Sequence, residues 1–239
     1  MSYSTRMIEN HKKLLGHNPD FQAEIDFLAT EIPSRTTEIS ESDRWLSTLA
    51  VLMGVGGKDE FKLVLKGALE DGMDPAKLRE CVYQATDYLG LGRTAPFIKI
   101  LSKQFLDRGI ILCSAKTTTP QTRLQAGNDK QIELFGPQMK ESWKSCPPLR
   151  STINEFLASN CFGDFYTRTG LNNRERELVT FCYIYAQGGA DPQATSHAGA
   201  NMKNGYSKEY LYAICDANVA WVGYPRTLNA MSCIDKAAA

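Results

Sequence analysis

Apolar residues in this chain recur at helical spacing along most of its length and almost never alternate at period two, which predicts an all-α fold. From Arg44 to Met53 the apolar positions are Trp45, Leu46, Leu49, Val51, Leu52 and Met53. Lys77 to Leu89 sets Leu78, Cys81, Val82, Ala85 and Leu89 on one face. Thr94 to Leu106 repeats the pattern with Phe97, Ile98, Leu101 and Phe105, and Arg174 to Ala186 carries Leu178, Phe181, Cys182 and Tyr185. Helix starts are marked as well. Asp74-Pro75 and Asp191-Pro192 each place an N-cap residue ahead of a proline, whose fixed φ suits the first helical position. Asn172 with Glu175 three residues on spells a capping box, and Ser207 is a further N-cap residue.

A gap-free comparison of the chain with itself at an offset of 133 residues aligns Gly56 with Gly189, Gly72 with Gly205, Gly90 with Gly223, and Arg93-Thr94 with Arg226-Thr227. Apolar positions agree around them: Leu46 with Val179, Val51 with Ile184, Tyr88 with Trp221. Identity is low, and the glycines carry the argument. They fall where helices end, a place that commonly needs a left-handed residue. Leu14-Leu15-Gly16 and Leu134-Phe135-Gly136 end a further helix ahead of each block. The reading is a duplicated helical module of about 120 residues per copy, a plausible small-domain size. Residues 1–113 form the first copy, 114–121 a linker through Ser114-Ala115-Lys116-Thr117-Thr118-Thr119-Pro120, and 122–239 the second copy. The copies differ where chemistry would sit: Val64 stands at the position of His197, and Arg44 at that of Glu177.

Composition narrows the function classes. Lys plus Arg and Asp plus Glu each total 27, so the chain lacks the basic excess by which nucleic-acid binders release counterions. Three histidines, His11, His17 and His197, exclude a His-rich metal centre, and the expectation is no metal and no cofactor. His11 and His17 lie in a charged segment and are expected on the solvated surface. Seven cysteines occur without any Cys-x-x-Cys, and several, such as Cys182 and Cys215, sit among apolar neighbours, which reads as buried reduced thiols. Met1 to Lys13 has no apolar core for a signal peptide, and Leu46 to Gly57, the longest nearly apolar stretch, is far short of the ~20 residues of a spanning helix. A cytoplasmic protein with no membrane association is expected. Gly54-Val55-Gly56-Gly57 lacks the Lys-Ser/Thr of a phosphate loop.

Phe162-Gly163-Asp164-Phe165-Tyr166, Arg176-Glu177-Leu178-Val179-Thr180, His197 with Asn204-Gly205, and Gly223-Tyr224-Pro225-Arg226 with Asn229-Ala230 follow one another in the second copy. This run resembles the carboxymuconolactone decarboxylase family of the alkylhydroperoxidase D-like superfamily. The first copy resembles it more weakly, through Asp43-Arg44, Asp71-Gly72 and Gly90-Leu91-Gly92-Arg93. The resemblance implies a tandem duplication of an alkylhydroperoxidase D-like all-α module, a homo-oligomer, and a small-molecule substrate of the carboxylated-lactone type. Relatives with Cys-x-x-Cys reduce peroxides or disulfides. Their glutamate and histidine are matched by Glu177 and His197, but the cysteine pair is replaced by Gly189-Ala190-Asp191-Pro192-Gln193. Such reduction needs an attacking thiolate and a resolving thiol, so it is discounted.

The candidate catalytic residues are therefore His197, suited to proton transfer by its ordinary pKa of ~6.5, and Glu177, which would orient it or act itself. Arg226 is the candidate for binding a substrate carboxylate through its guanidinium fork. Each has a plainer reading: a satisfied interior histidine, a carboxylate paired for structure, and a structural arginine like Arg93. The small residues Ala194, Ala198, Gly199 and Ala200 leave room for a ligand or permit close helix packing. Two rival readings stay open: a catalytically silent oligomeric scaffold, which predicts no polar pocket at His197, and a thiol peroxidase using scattered cysteines such as Cys182.

Overall fold

Two helices buried on nearly every side, polar residues included, form the centre of this protein. A computed structural model describes residues 3–239; within them the side chains of Lys13, Leu14, Leu15 and His17 are not described, so the expectations placed on His17 and on Leu14-Leu15 lie outside the described residues. In chain order the helices are α1 (Tyr3–His17), then α2 (Gln22–Asp26) and α3 (Ile32–Arg35) joined by a π-helical turn (Phe27–Glu31), α4 (Glu41–Val55), α5 (Lys58–Glu70), α6 (Pro75–Leu89) and α7 (Leu91–Asp107). There follow α8 (Arg123–Phe135), α9 (Ser151–Phe156) running into a π-helical segment (Leu157–Tyr166), α10 (Asn173–Gln187), α11 (Asp191–Lys203), α12 (Lys208–Ala217), α13 (Val219–Val222) and α14 (Tyr224–Ala238). No strand occurs among the described residues.

α4 and α10 pack against each other at the centre, buried from Asp43 to Gly54 and from Glu175 to Ala186. Their apolar side chains join those of α5, α6, α11, α12 and α14 in one core that spans both halves of the chain. The caps explain where the helices begin. Asp74 accepts from the Ala76 amide, Ser207 from Tyr210, and Asn172 with Glu175 closes a full capping box at α10. Asp191, expected as an N-cap, is instead the first helical residue of α11, and no side chain caps that helix.

Helix boundaries follow the 133-residue spacing. α5 and α11 coincide end to end, α6 starts where α12 does, and α7 starts where α14 does. Gly90 and Gly223, aligned by that spacing, sit at φ 78° and 85° at the sharp junctions ahead of α7 and α14. The halves differ at Asn218, where the second counterpart of α6 breaks into α12 and α13. The stretch expected as a linker is strapped down. Thr117 and Thr118 donate to the carbonyls of Thr167 (3.0 Å) and Gly163 (2.9 Å), and Ala115 accepts from the Thr169 amide (3.1 Å).

His11 corrects an expectation. It is buried rather than solvated, with Nδ1 against the Met7 carbonyl (2.8 Å) and Nε2 against Glu60 (2.8 Å). Tyr3, Met7 and His11 stack on one face of α1, and that face lies on the core.

Candidate active site

His197 is one turn and a half into α11, and its ring is fixed from α10. Its Nδ1 lies 2.7 Å from Glu177 Oε2, and the glutamate side chain is fully buried. A carboxylate only accepts, so Nδ1 carries the proton in this bond and Nε2 of the neutral ring is left as an acceptor. Asn201, one turn beyond His197, donates 2.8 Å bonds from Nδ2 to the carbonyls of both Glu177 and His197, which ties α11 to α10 at this level. Ala194 and Ala198 are buried in the core, so these small residues serve helix packing rather than ligand space.

The face of His197 not held by Glu177 opens on a cleft of about 780 Å³. Its walls come from both halves: Asp87 and Tyr88 of α6, Phe135 of α8, Cys161 and Phe162 of the π-helical segment, and Gln187, Gln193 and Ser196 around α10 and α11. The rings of Tyr88 and Phe135 meet the imidazole edge-on at 5.5 and 5.6 Å. No lysine or arginine lines the cleft among the described residues. The silent-scaffold reading predicts no polar pocket at His197, and Asp87, Gln187, Gln193 and Ser196 line the cleft beside it.

Close backbone packing sets the π-helical wall. A Cβ on Gly127 would lie 1.8 Å from the Ala158 carbonyl oxygen, and one on Gly163 2.1 Å from that of Arg123. Only paired glycines let α8 approach the segment this closely. Behind the cleft a buried polar chain runs inward. Tyr88 donates to the Tyr166 hydroxyl (2.9 Å), which bonds Thr180 (2.8 Å), and Gln84 donates to Thr180 (2.8 Å) while accepting from Arg176 (2.5 Å). The chain ends at Glu80, fully buried and held bidentately by Arg168 at 2.7 and 2.9 Å.

Burial pushes the Tyr88 and Tyr166 hydroxyls and the Cys161 thiol well above their ordinary ranges, and the Glu177 carboxylate adds to each rise. Burial does the same to Cys182. These sulfurs stay protonated near neutrality and are poor nucleophiles, so nothing here favours thiol peroxidase chemistry.

Arg226, expected at a substrate carboxylate, is absent from the cleft wall. It donates to the Ala186 carbonyl at the C-terminal end of α10, and Arg93 reaches the Gly54 carbonyl at the end of α4 (3.4 Å). Both guanidiniums close helix C-termini, where carbonyls lack intrahelical partners and the dipole favours cations. The structure thus brings His197 and Glu177 together and places Arg226 at the end of α10, outside the cleft wall.

The pattern of the carboxymuconolactone decarboxylase family matches residues 152–236. The chain is also 31% identical over 106 residues to the 4-carboxymuconolactone decarboxylase of Acinetobacter baylyi, an alignment covering 44% of this chain and 76% of that protein. The chain belongs to the carboxymuconolactone decarboxylase family. Within this family member the matched stretch holds Glu177, His197, Cys161 and Phe162, whereas Asp87, Tyr88 and Phe135 precede it. Sequence reasoning missed these last three and Cys161 as cleft residues. Tyr88 was legible only as an apolar match to Trp221, and Cys161 only as a buried thiol.

Proposed function

We propose that this member of the carboxymuconolactone decarboxylase family decarboxylates a small carboxylated lactone or related unsaturated acid by side-chain acid/base chemistry. The observation that carries the reading is the 2.7 Å bond between Glu177 and Nδ1 of an imidazole whose other side faces the cleft. Loss of the carboxylate as carbon dioxide leaves its electron pair on the carbon conjugated with the lactone carbonyl. Protonated at Nε2 from solvent, His197 delivers that proton to carbon and returns to its neutral form. Glu177 holds the ring's orientation and stabilises the imidazolium between the two steps.

The test is turnover of 4-carboxymuconolactone, followed as carbon dioxide release, by the wild type and by His197→Asn, whose amide keeps a donor toward Glu177. Turnover that collapses in the variant supports the assignment; turnover that survives it ends the assignment.

We also propose that the two halves derive from one helical module. The coincident boundaries of α5 and α11 and the shared helix-closing roles of Arg93 and Arg226 support this. On this reading the α4–α10 contact stands where two single-module subunits would meet.

A further inference from the structure

Among the described residues Asp87 is the one carboxyl lining the cleft, and it comes from the half of the chain opposite to His197 and Glu177. Its Oδ2 is buried without a hydrogen-bond partner. The next residue, Tyr88, lays its ring edge against the imidazole of His197, so α6 brings the Asp87 carboxyl and His197 to one space. A buried polar atom left unpaired is unfavourable, and such an atom on a residue of a cleft wall is a place for a ligand to make the missing bond.

We infer that Asp87 is a catalytic acid of this cleft, donating from its protonated carboxyl to the substrate carbonyl oxygen that collects the electron pair. The inference rests on the decarboxylase reading above and adds a second group to it. When the bond between carbon and carboxylate breaks, carbon dioxide leaves and the pair moves through the conjugated system to the carbonyl oxygen. Asp87 stabilises that enolate oxygen by its O–H donation. His197 then protonates carbon, the pair returns to form the new C–H bond, and the Asp87 proton settles back on its carboxyl. One solvent proton is consumed per turnover, through His197.

The surroundings keep that acid neutral. Burial pushes the Asp87 carboxyl up to about 8, the Asp164 carboxylate adds to the rise, and the Arg176 guanidinium and Cys161 thiol oppose it. Cys161 and Asp164 face it from the π-helical segment and Arg176 from α10. Asp164 is itself paired with Arg123 at 2.9 Å. With no lysine or arginine in the wall among the described residues, a carboxyl here gains little by ionising, and a neutral acid in a largely apolar site is a strong donor to a developing oxyanion.

Two measurements on the full chain test this. The first needs no turnover: infrared difference spectra of the wild type and of Asp87→Asn between pH 6 and 10. A protonated-carboxyl band lost in the variant, titrating near pH 8, and shifted by added 4-carboxymuconolactone is expected; its absence overturns the inference. The second is kinetic. Asp87→Asn, close in shape to the neutral acid, should lower kcat by about 10²–10³-fold with little change in KM. Asp87→Glu, which keeps the acid, should recover part of the loss. Full kcat in Asp87→Asn overturns the inference. A wild type that leaves the lactone unchanged refutes the decarboxylase reading instead, and the band's response to the lactone then decides for or against Asp87 alone.

Discussion

Among the described residues each half of the chain carries a buried histidine joined to a glutamate, and the two pairs leave different atoms free. His11 engages both ring nitrogens inside the protein, at 2.8 Å each. His197 engages Nδ1 with Glu177 and turns the rest of its ring to the cleft. The carboxylates differ too: the Glu60 side chain is 36% exposed and Glu177 is 0% exposed. Water screens the first pair and not the second. A histidine with both nitrogens committed fastens a helix, and one with a nitrogen in reserve is able to move a proton. Residue type and partner are the same in both places, so the difference lies in what the surrounding helices cover.

If that contrast is right, matched substitutions separate the pairs. The largest effect belongs to His197→Asn, which should lower kcat on the lactone by about 10²–10⁴-fold while the melting temperature moves little; equal kcat in variant and wild type breaks the contrast. Glu177→Gln comes next, at about 10²-fold in kcat, because an amide in its place holds the ring in either tautomer. His11→Ala should leave kcat alone and cost about 1–3 kcal/mol of stability. That is readable by thermal denaturation at roughly 2–4 °C per kcal/mol for a chain of this size. A His11 variant as inactive as the His197 variant would mean that the first pair, too, serves chemistry.

Smallest is the pH signature of the first pair. The hydrogen bond to Glu60 raises the His11 pKa above its ordinary value, against the opposing effect of burial. A folded-state pKa raised in this way contributes stability that is full below about pH 6.5 and is lost as pH rises through the raised value. Glu60→Gln should therefore be less stable than wild type by up to about 1 kcal/mol near pH 5.5, with the difference closing by about pH 9. Denaturant titrations at the two pH values check it, and a gap that widens with pH would reverse the sign argued here.

The helices and their caps were legible because they are local. Asn172 and Glu175, or Asp74 and Pro75, act within a single turn. Glu177 and His197 were legible through the resemblance, and the structure joins them. Arg226, a candidate substrate binder in the sequence, donates to the end of α10 as Arg93 does to the end of α4, which fits the plainer structural reading that the match with Arg93 had offered. His11 was misread from its charged neighbours. The spacing of Tyr3, Met7 and His11, four residues apart, held the buried face in plain view. Asp87 and Tyr88 were not legible. Tyr88 reaches His197, and Asp87 the same cleft, by the docking of α6 beside α10 and the π-helical segment, a contact about a hundred residues apart in the chain that no local pattern encodes.

The stretch that matches the family begins at residue 152, and the side chains at 87, 88 and 135 that complete the cleft all precede it. A fragment cut to that boundary would keep the imidazole and its carboxylate and lose the opposite side of the room they work in. Assayed alone, it would report on half a chamber. In this chain the cleft draws on more of the sequence than the family pattern spans.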